Sequence, residues 1–306
     1  MRVLESAGLG PEEEPLLSLI DVAILLPRCT LENEPDLLRS TIKAWLIARF
    51  SAIYRVSTVG IYRSRSSDKE CRNEGELLSL LLSYMRAPPY LKKKLFSVKK
   101  ELKYVGLAPP LQIPTHTVSE TPVVGEVREA LVVKVSRGRA LLHIGLDAPV
   151  WVEASVREVR PGSTLFIRVK GTEPLEVEIL RSAPNDVYVG YSVININDVV
   201  AHLRESGRRG VYRLGTSRLG DPLDKSLERM KRKIANSRGV LLLFGEPRRG
   251  IFDVLRELGA EPSDVLDDVV NLIPAQGTKT VRTEEALAAA LQTVRLLEAL
   301  STSSAS

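Results

Sequence analysis

Two short runs, LIDVAILL over 19–26 and VLLLF over 240–244, are apolar almost without interruption. A strand with one wet face alternates apolar and polar residues, whereas a strand covered on both faces does not. The chain therefore predicts a parallel sheet with helices on both sides. After the first run Pro35 sits where a first helical residue is tolerated, and Leu37, Leu38, Thr41, Ile42, Trp45, Leu46 and Arg49 follow at helical spacing. VSTVGIY over 56–62 reads as a second strand, completing a strand–helix–strand unit. A polar loop over 63–75 and a helix over 76–85, stopped by Pro88-Pro89, come next.

The pattern then changes. Short alternating runs at 130–135, 140–144, 150–152, 165–169 and 175–180 are punctuated by Gly138, Gly145, Gly162 and Gly171. Such runs predict a small β-barrel or sandwich, assigned to 89–185. Its entry, LKKKLFSVKKELK, carries Lys92, Lys93, Lys94, Lys99, Lys100 and Lys103 against Glu101 alone.

The strand–helix rhythm resumes at 186. Asn197 or Asp198 can cap a short helix. Strands over 211–214, 240–244 and 265–273 open into GTSRLGD, GEPRRG and PAQGTKTVR, with helices over 222–235, 251–258 and 284–300, the last capped by Thr283. Ligands of open α/β sheets bind beyond the carboxyl ends of the strands, where these three glycine-bearing loops lie. GEPRRG lacks the lysine of a phosphate-binding loop, and the chain has no nucleophile elbow.

Composition excludes other chemistry. Cys29 and Cys71 are too few for a metal cluster; they could pair, though a reducing cytoplasm is the simpler reading. His116, His143 and His202 show no metal-ligand spacing, so no metal is expected. No apolar run is long enough to span a bilayer, and 1–17 reads as a flexible tail without a signal sequence. The net charge of +5 permits a polyanionic partner without demanding one. Further basic clusters lie at Arg204, Arg208, Arg209, Arg213 and Arg218, and at Arg229, Lys231, Arg232 and Lys233. Each also fits a solvated surface.

IPAQGTKTVRTEEA over 273–286, between VLDDVVN and a terminal helix, resembles the cofactor-binding end of SPOUT-class RNA methyltransferases. The segments 39–62 and 90–116, with GTSRLG and FGEPRRG, are similar to an archaeal and eukaryotic subfamily with an inserted barrel. The resemblance implies an α/β SPOUT trefoil-knot, Rossmann-like domain over 18–88 and 186–306, interrupted by an OB-like β-barrel over 89–185. It further implies a cytoplasmic homodimer that uses S-adenosylmethionine to modify a nucleobase or ribose of structured ribosomal or transfer RNA. The cofactor would contact Gly215, Thr216 and Ser217 in the first loop. Gly245, Glu246, Pro247 and Gly250 would supply the second. Asn271, Leu272, Ile273, Pro274, Gln276, Gly277, Thr278, Thr280 and Val281 would supply the third.

Methyl transfer from a sulfonium needs alignment and a proton acceptor rather than a metal. Arg282 and Glu285 are the catalytic candidates, although carboxylates are common in the first turn of a helix. Arg218 and the six lysines are candidate RNA contacts. Two other functions fit the same residues: a non-catalytic RNA-binding or ribosome-assembly factor, and a protein methyltransferase.

Overall fold

Strand β1 (Asp21–Pro27) runs through the centre of a parallel sheet with Val22, Ile24, Leu25 and Leu26 wholly buried, as an uninterrupted apolar run requires. The structure, a computed structural model, describes residues 19–65, 69–116, 121–154 and 159–302. The tail expected over 1–17 lies outside them. Helix α1 (Leu37–Ile53) is capped by Asp36, whose carboxylate accepts from the Arg39 amide at 2.8 Å, so Pro35 precedes the helix rather than opening it. Strand β2 (Thr58–Tyr62) lies beside β1.

Helix α2 (Lys69–Arg86) starts well before the expected residue 76 and takes in residues 69–75 of the polar stretch assigned to a loop. Tertiary contacts hold that first part. Cys71 is bonded to Cys29, with Cα atoms 4.7 Å apart, and a Cβ on Gly75 would lie 2.7 Å from Arg28 Cγ. The thiols expected to be free in a reducing compartment are therefore paired. Sequence separation hides this, because the bond closes a 42-residue interval. Among the described residues, the His, Cys, Asp and Glu groups close enough to share a metal are Cys29, Glu32 and Cys71, and its two sulfurs are bonded to each other.

Helix α3 (Pro89–Leu95) carries the first three lysines. The chain then runs over α1: Trp45 Nε1 donates to the Pro109 carbonyl at 3.0 Å and Arg49 to that of Leu111 at 2.6 Å. Leu111 and Ile113 enter the core beneath the parallel sheet. Strands β3 (Val127–Ser136), β4 (Arg139–His143), β5 (Val150–Glu153), β6 (Thr164–Thr172) and β7 (Leu175–Leu180) form an antiparallel sheet of order β5-β4-β3-β6-β7. Its core is built by alternate residues, among them Ala130, Val132, Leu142, Ile167 and Val169. The β3–β4 turn places Arg137 and Gly138 at φ 49° and 77°, the left-handed pair of a tight hairpin.

Buried polar groups join this sheet to α2. Arg86 pairs with Glu129 at 2.9 Å, Tyr90 Oη donates to the Glu129 carbonyl at 2.8 Å, and His116 Nε2 lies 2.7 Å from the Arg86 carbonyl. Burial pushes the His116 pKa down to about 4, against the raising effect of the Arg86 carbonyl and with help from the charges of Lys92 and Arg86. A depressed folded value means that stability is fully present above the ordinary 6.5 and is lost as pH falls towards 4. Between those limits the imidazole costs about 3 kcal/mol of stability. Urea unfolding of His116→Gln should therefore show a shallower acid limb than wild type by that amount; identical limbs would remove His116 from the account.

Strand β8 (Ser192–Ile196), which the sequence pattern does not announce, extends the parallel sheet beside β2. Asp198 caps α4 (Val199–Arg208) by accepting from the Ala201 amide at 2.8 Å. There follow β9 (Val211–Pro222), α5 (Leu223–Ala235), β10 (Gly239–Leu243), α6 (Ile251–Glu257), α7 (Pro262–Val265), β11 (Asp268–Asn271) and α8 (Thr283–Thr302). The strand order is β11-β9-β10-β1-β2-β8, a mixed α/β fold. One core packs α1, α2, α5 and α8 on one face, and a second packs α4, α6 and α7 on the other. The strand expected over 265–273 shortens to β11 because its first residues turn through α7. Thr283 lies inside α8 rather than capping it.

No helix among the described residues is long and apolar enough to cross a membrane.

Candidate functional site

The first glycine-bearing segment is not a loop that ends its strand. Gly215 of β9 pairs with Val269, yet the next residue of β11, Val270, pairs with Asp221. Residues 216–220 therefore rise out of the ladder as a wide bulge and the strand resumes beyond them. Gly220 permits this, since a Cβ there would lie 2.6 Å from the Val269 carbonyl oxygen. Gly245 permits the second turn, where a Cβ would meet the Arg249 oxygen and the Ile251 nitrogen at 2.9 Å.

The bulge, the turn after β10 and the segment between β11 and α8 enclose a cavity of about 750 Å³, within the size range of cofactor sites. Of the residues expected to hold a cofactor, Thr216, Ser217, Gly245, Glu246, Pro247 and Gly250 line it from the first two segments. Asn271, Leu272, Ile273, Gln276, Thr280 and Val281 line it from the third. Gly215 is packed beneath, where a Cβ would lie 2.5 Å from Ile251 Cδ1. Pro274, Gly277 and Thr278 are not in the lining. The third segment is held by its own polar groups: Asn271 Oδ1 accepts from the Ile273 amide at 3.1 Å, and Gln276 Nε2 donates to the Thr278 carbonyl at 2.9 Å. Arg218 Nη1 reaches the Lys279 carbonyl at 3.5 Å, tying the bulge to this segment.

Two charge clusters border the cavity. Glu246 has a fully buried side chain and accepts from Ser64 Oγ at 2.5 Å, Arg65 Nε at 3.0 Å and Arg249 Nε at 2.8 Å. Burial raises its pKa, but the bonds from Arg249, Arg65 and Ser64 outweigh burial and hold the carboxyl below its ordinary value. This acid organises its own turn. The second cluster centres on Lys43, whose ammonium lies 3.2 Å from Glu34 and 3.7 Å from Glu284. Arg282 bonds both of those acids. Arg282 lines the cavity; Glu285 does not, and its carboxylate accepts from the Arg282 amide at 2.8 Å.

Sequence reasoning did not single out Asn33, Lys43, Phe252, Asp253, Arg256 or Lys279, all of which line the cavity. A lysine inside the apolar run of α1 was the available signal for Lys43. The lining is strongly cationic: Lys43, Arg218, Arg248, Arg249, Arg256, Lys279 and Arg282 face Glu246 and Asp253. Arg218 and Lys279 make no ion pair among the described residues.

Elsewhere the basic clusters read from the sequence are largely neutralised. Arg213 pairs with Asp267, Arg229 and Lys233 with Asp268, and Arg208 and Arg209 with Glu205. In the lysine-rich segment, Lys93, Lys94, Lys99, Lys100 and Lys103 are exposed. Lys92 is half-buried over the Tyr84 ring, 4.8 Å from its centroid.

The sequence that builds this sheet and cavity matches, over residues 21–294, the family described as "Putative RNA methyltransferase", and the chain belongs to that family. It is a methyltransferase, and the resemblance drawn from the sequence holds at that level. A Halobacterium salinarum protein described as uncharacterized is 30% identical over 292 residues, covering 90% of this chain and 99% of its own. The 28S rRNA (uridine-N(3))-methyltransferase of Drosophila melanogaster is 28% identical over 92% of this chain and 62% of its own. Its Homo sapiens counterpart is 26% identical over 93% of this chain and 80% of its own.

Proposed function

We propose that the protein transfers a methyl group from S-adenosylmethionine to a base of ribosomal RNA, with uridine N3 as the accepting atom. The cationic cavity beyond β9, β10 and β11 carries this reading. Its dimensions suit a nucleoside-sized group. Leu272, Ile273, Val281, Phe252 and Ala286 supply apolar wall and the turns around Gly245 and Gly250 supply close backbone. A Cβ on Gly250 would have no protein atom within 4 Å, which leaves that part of the lining open to a ligand. The residues thus fit the cofactor. The names of the human and fruit-fly relatives support the choice of acceptor.

When bound, S-adenosylmethionine supplies an electrophilic methyl on a sulfonium, so the carbon–sulfur bond breaks as the nitrogen–carbon bond forms and its electron pair returns to sulfur. The protein must orient the base, hold the adjoining phosphates and take the N3 proton. Arg218 and Lys279, which line the cavity without an ion pair among the described residues, would on this reading hold phosphate together with Arg282. The exposed lysines of the 92–103 segment extend that path. Of the two lining carboxylates, Glu246 is engaged by Ser64, Arg65 and Arg249, whereas Asp253 makes no ion pair among the described residues. Asp253, in the first turn of α6, lines the cavity and on this reading receives the proton, whereas Glu285 lies outside the lining.

Asp253→Asn is expected to slow methyl transfer by about 100-fold while calorimetry finds unchanged affinity for S-adenosylhomocysteine. A wild-type rate would assign the proton to another group. The reading as a whole is tested by incubating labelled S-adenosylmethionine and the protein with total RNA and total protein. Label in RNA supports it, label in protein marks a protein methyltransferase, and label in neither marks an RNA-binding assembly factor.

The trefoil knot, the OB-like character of the antiparallel sheet and the cytoplasmic homodimer implied by the resemblance belong to the same proposal. Exposed Ile42 and Ile53 on α1, and Leu296 and Leu300 on α8, are apolar side chains that a second copy would cover.

A further inference from the structure

We propose that the outer face of β4 and β5, centred on Trp151, is a second RNA-contact surface that takes an unpaired nucleotide, its base stacked on the indole and its phosphates on Lys134, Arg137 and Arg139. The inference rests on the RNA reading above and deepens it.

Among the described residues Trp151 is the one aromatic side chain that is exposed, at 41%. Its neighbours in the fold are defined by register. Lys134 of β3 lies opposite Leu141 of β4, which lies opposite Trp151 of β5. The inward residues of the same strands, Ala140, Leu142 and Val152, build the sheet's core, so this row points outward by the two-residue alternation of strands. Exposed Val133 adds apolar surface at the β3 bulge.

The charge of this face suits a polyanion. The Arg139 guanidinium lies over the Trp151 ring, 5.8 Å from its centroid. Arg137 is exposed in the β3–β4 turn. None of Lys134, Arg137 and Arg139 forms an ion pair among the described residues, although Glu153 is the register partner of Arg139. At the opposite end the same outer side of the sheet is closed, with Tyr90 against Gly145 and Glu129 covered by Arg86. On the same outer side of β4, burial and then the charge of Lys94 on α3 lower the pKa of His143.

Leaving an indole in water forgoes the free energy of burying a large apolar surface. A flat ring flanked by unpaired cations offers what an unpaired nucleotide needs, because every base has a face to stack and every nucleotide a phosphate. A base-paired helix offers neither exposed base faces nor the reach to a single side chain. The face thus selects single-stranded RNA.

The test uses the full chain and a labelled single-stranded oligouridine of about a dozen nucleotides, within the site size of such surfaces. Trp151→Ala should bind it about tenfold more weakly, while Trp151→Phe, which keeps a ring, should stay near wild type. Arg139→Ala should weaken binding and flatten the salt dependence by about 0.7 in logarithmic slope. Unchanged S-adenosylhomocysteine affinity in each variant would show that the fold is intact. If wild type binds the oligouridine and Trp151→Ala binds it equally, the platform is overturned and the RNA reading survives. If Trp151→Ala instead changes the sedimentation of the protein, the face is covered by a second copy and the proposal is wrong. If wild type has no affinity for any RNA, both fall together.

Discussion

Lys43→Met is expected to lower the unfolding free energy by about 4 kcal/mol, the largest single effect anticipated in this protein. The side chains of Lys43, Glu34 and Glu284 are 2%, 3% and 5% exposed. Removing the cation leaves two carboxylates without it in a nearly dry site, with Arg282, about half-exposed, as the remaining positive charge beside them. Arg282 Nε bonds Glu284 Oε1 at 2.6 Å, whereas Glu284 Oε2 has no hydrogen-bond partner and faces only the Lys43 ammonium, at 3.7 Å. The cluster ties the loop after β1, helix α1 and the start of α8 around the cavity floor. The same substitution should therefore also weaken S-adenosylhomocysteine binding. Adding Glu284→Gln should restore part of the lost stability, because the pair costs less when both charges go than when one does. Urea unfolding checks the sign and size; a loss under about 1 kcal/mol would mean that water reaches the cluster and screens it.

Glu246→Ala is expected to cost about 3 kcal/mol. The loss is smaller than for Lys43 because the partners Arg65 and Arg249 are 25% and 28% exposed, so water can recover part of their solvation. Five donor groups lose their acceptor at once: the Ser64 hydroxyl, Nε and Nη2 of Arg65, and Nε and Nη2 of Arg249. The turn between β10 and α6 should loosen, and with it one wall of the cavity. The effect should depend on pH. The Glu246 carboxyl is held below its ordinary 4.5, so its contribution is fully present above that value and disappears as pH falls through the lower folded value. Wild type and Glu246→Ala should converge in stability below that point. A constant gap from neutral to acid would show that packing, not charge, carries the difference.

The legible and illegible parts of the site differ in kind. The apolar runs of β1 and β10, and the alternation of β3 and β4, could be read because a strand's environment writes itself into consecutive residues. The turns at Gly245 and Gly250 and the segment from Asn271 to Val281 could be placed on one edge of the sheet for the same reason, since strand ends define that edge. The continuation of β9 past Gly215 could not. GTSRLGD has the composition of a loop, and only the pairing of Asp221 with Val270 shows that the strand resumes.

The early start of α2 shows the same limit: a polar stretch is helical because Cys71 and Gly75 meet Cys29 and Arg28. Local composition favoured a loop, and contacts with a distant segment overrode it.

What the chain determines by itself is periodic: which stretches are buried on two faces, which on one, where turns fall, and that three turns share the carboxyl end of one sheet. Hydrophobic burial and backbone geometry act over a few residues, so their record is local. The tertiary structure alone decided which charges are neutralised and which remain available. Arg213, Arg229 and Lys233 look in the sequence like Lys134, Arg137 and Arg139, yet Asp267 and Asp268 neutralise the first group. The second group lies beside an exposed indole. Lys43 likewise meets Glu284 across most of the chain. Coulomb interactions depend on distance in space and on exclusion of water, and neither quantity is written in the order of residues.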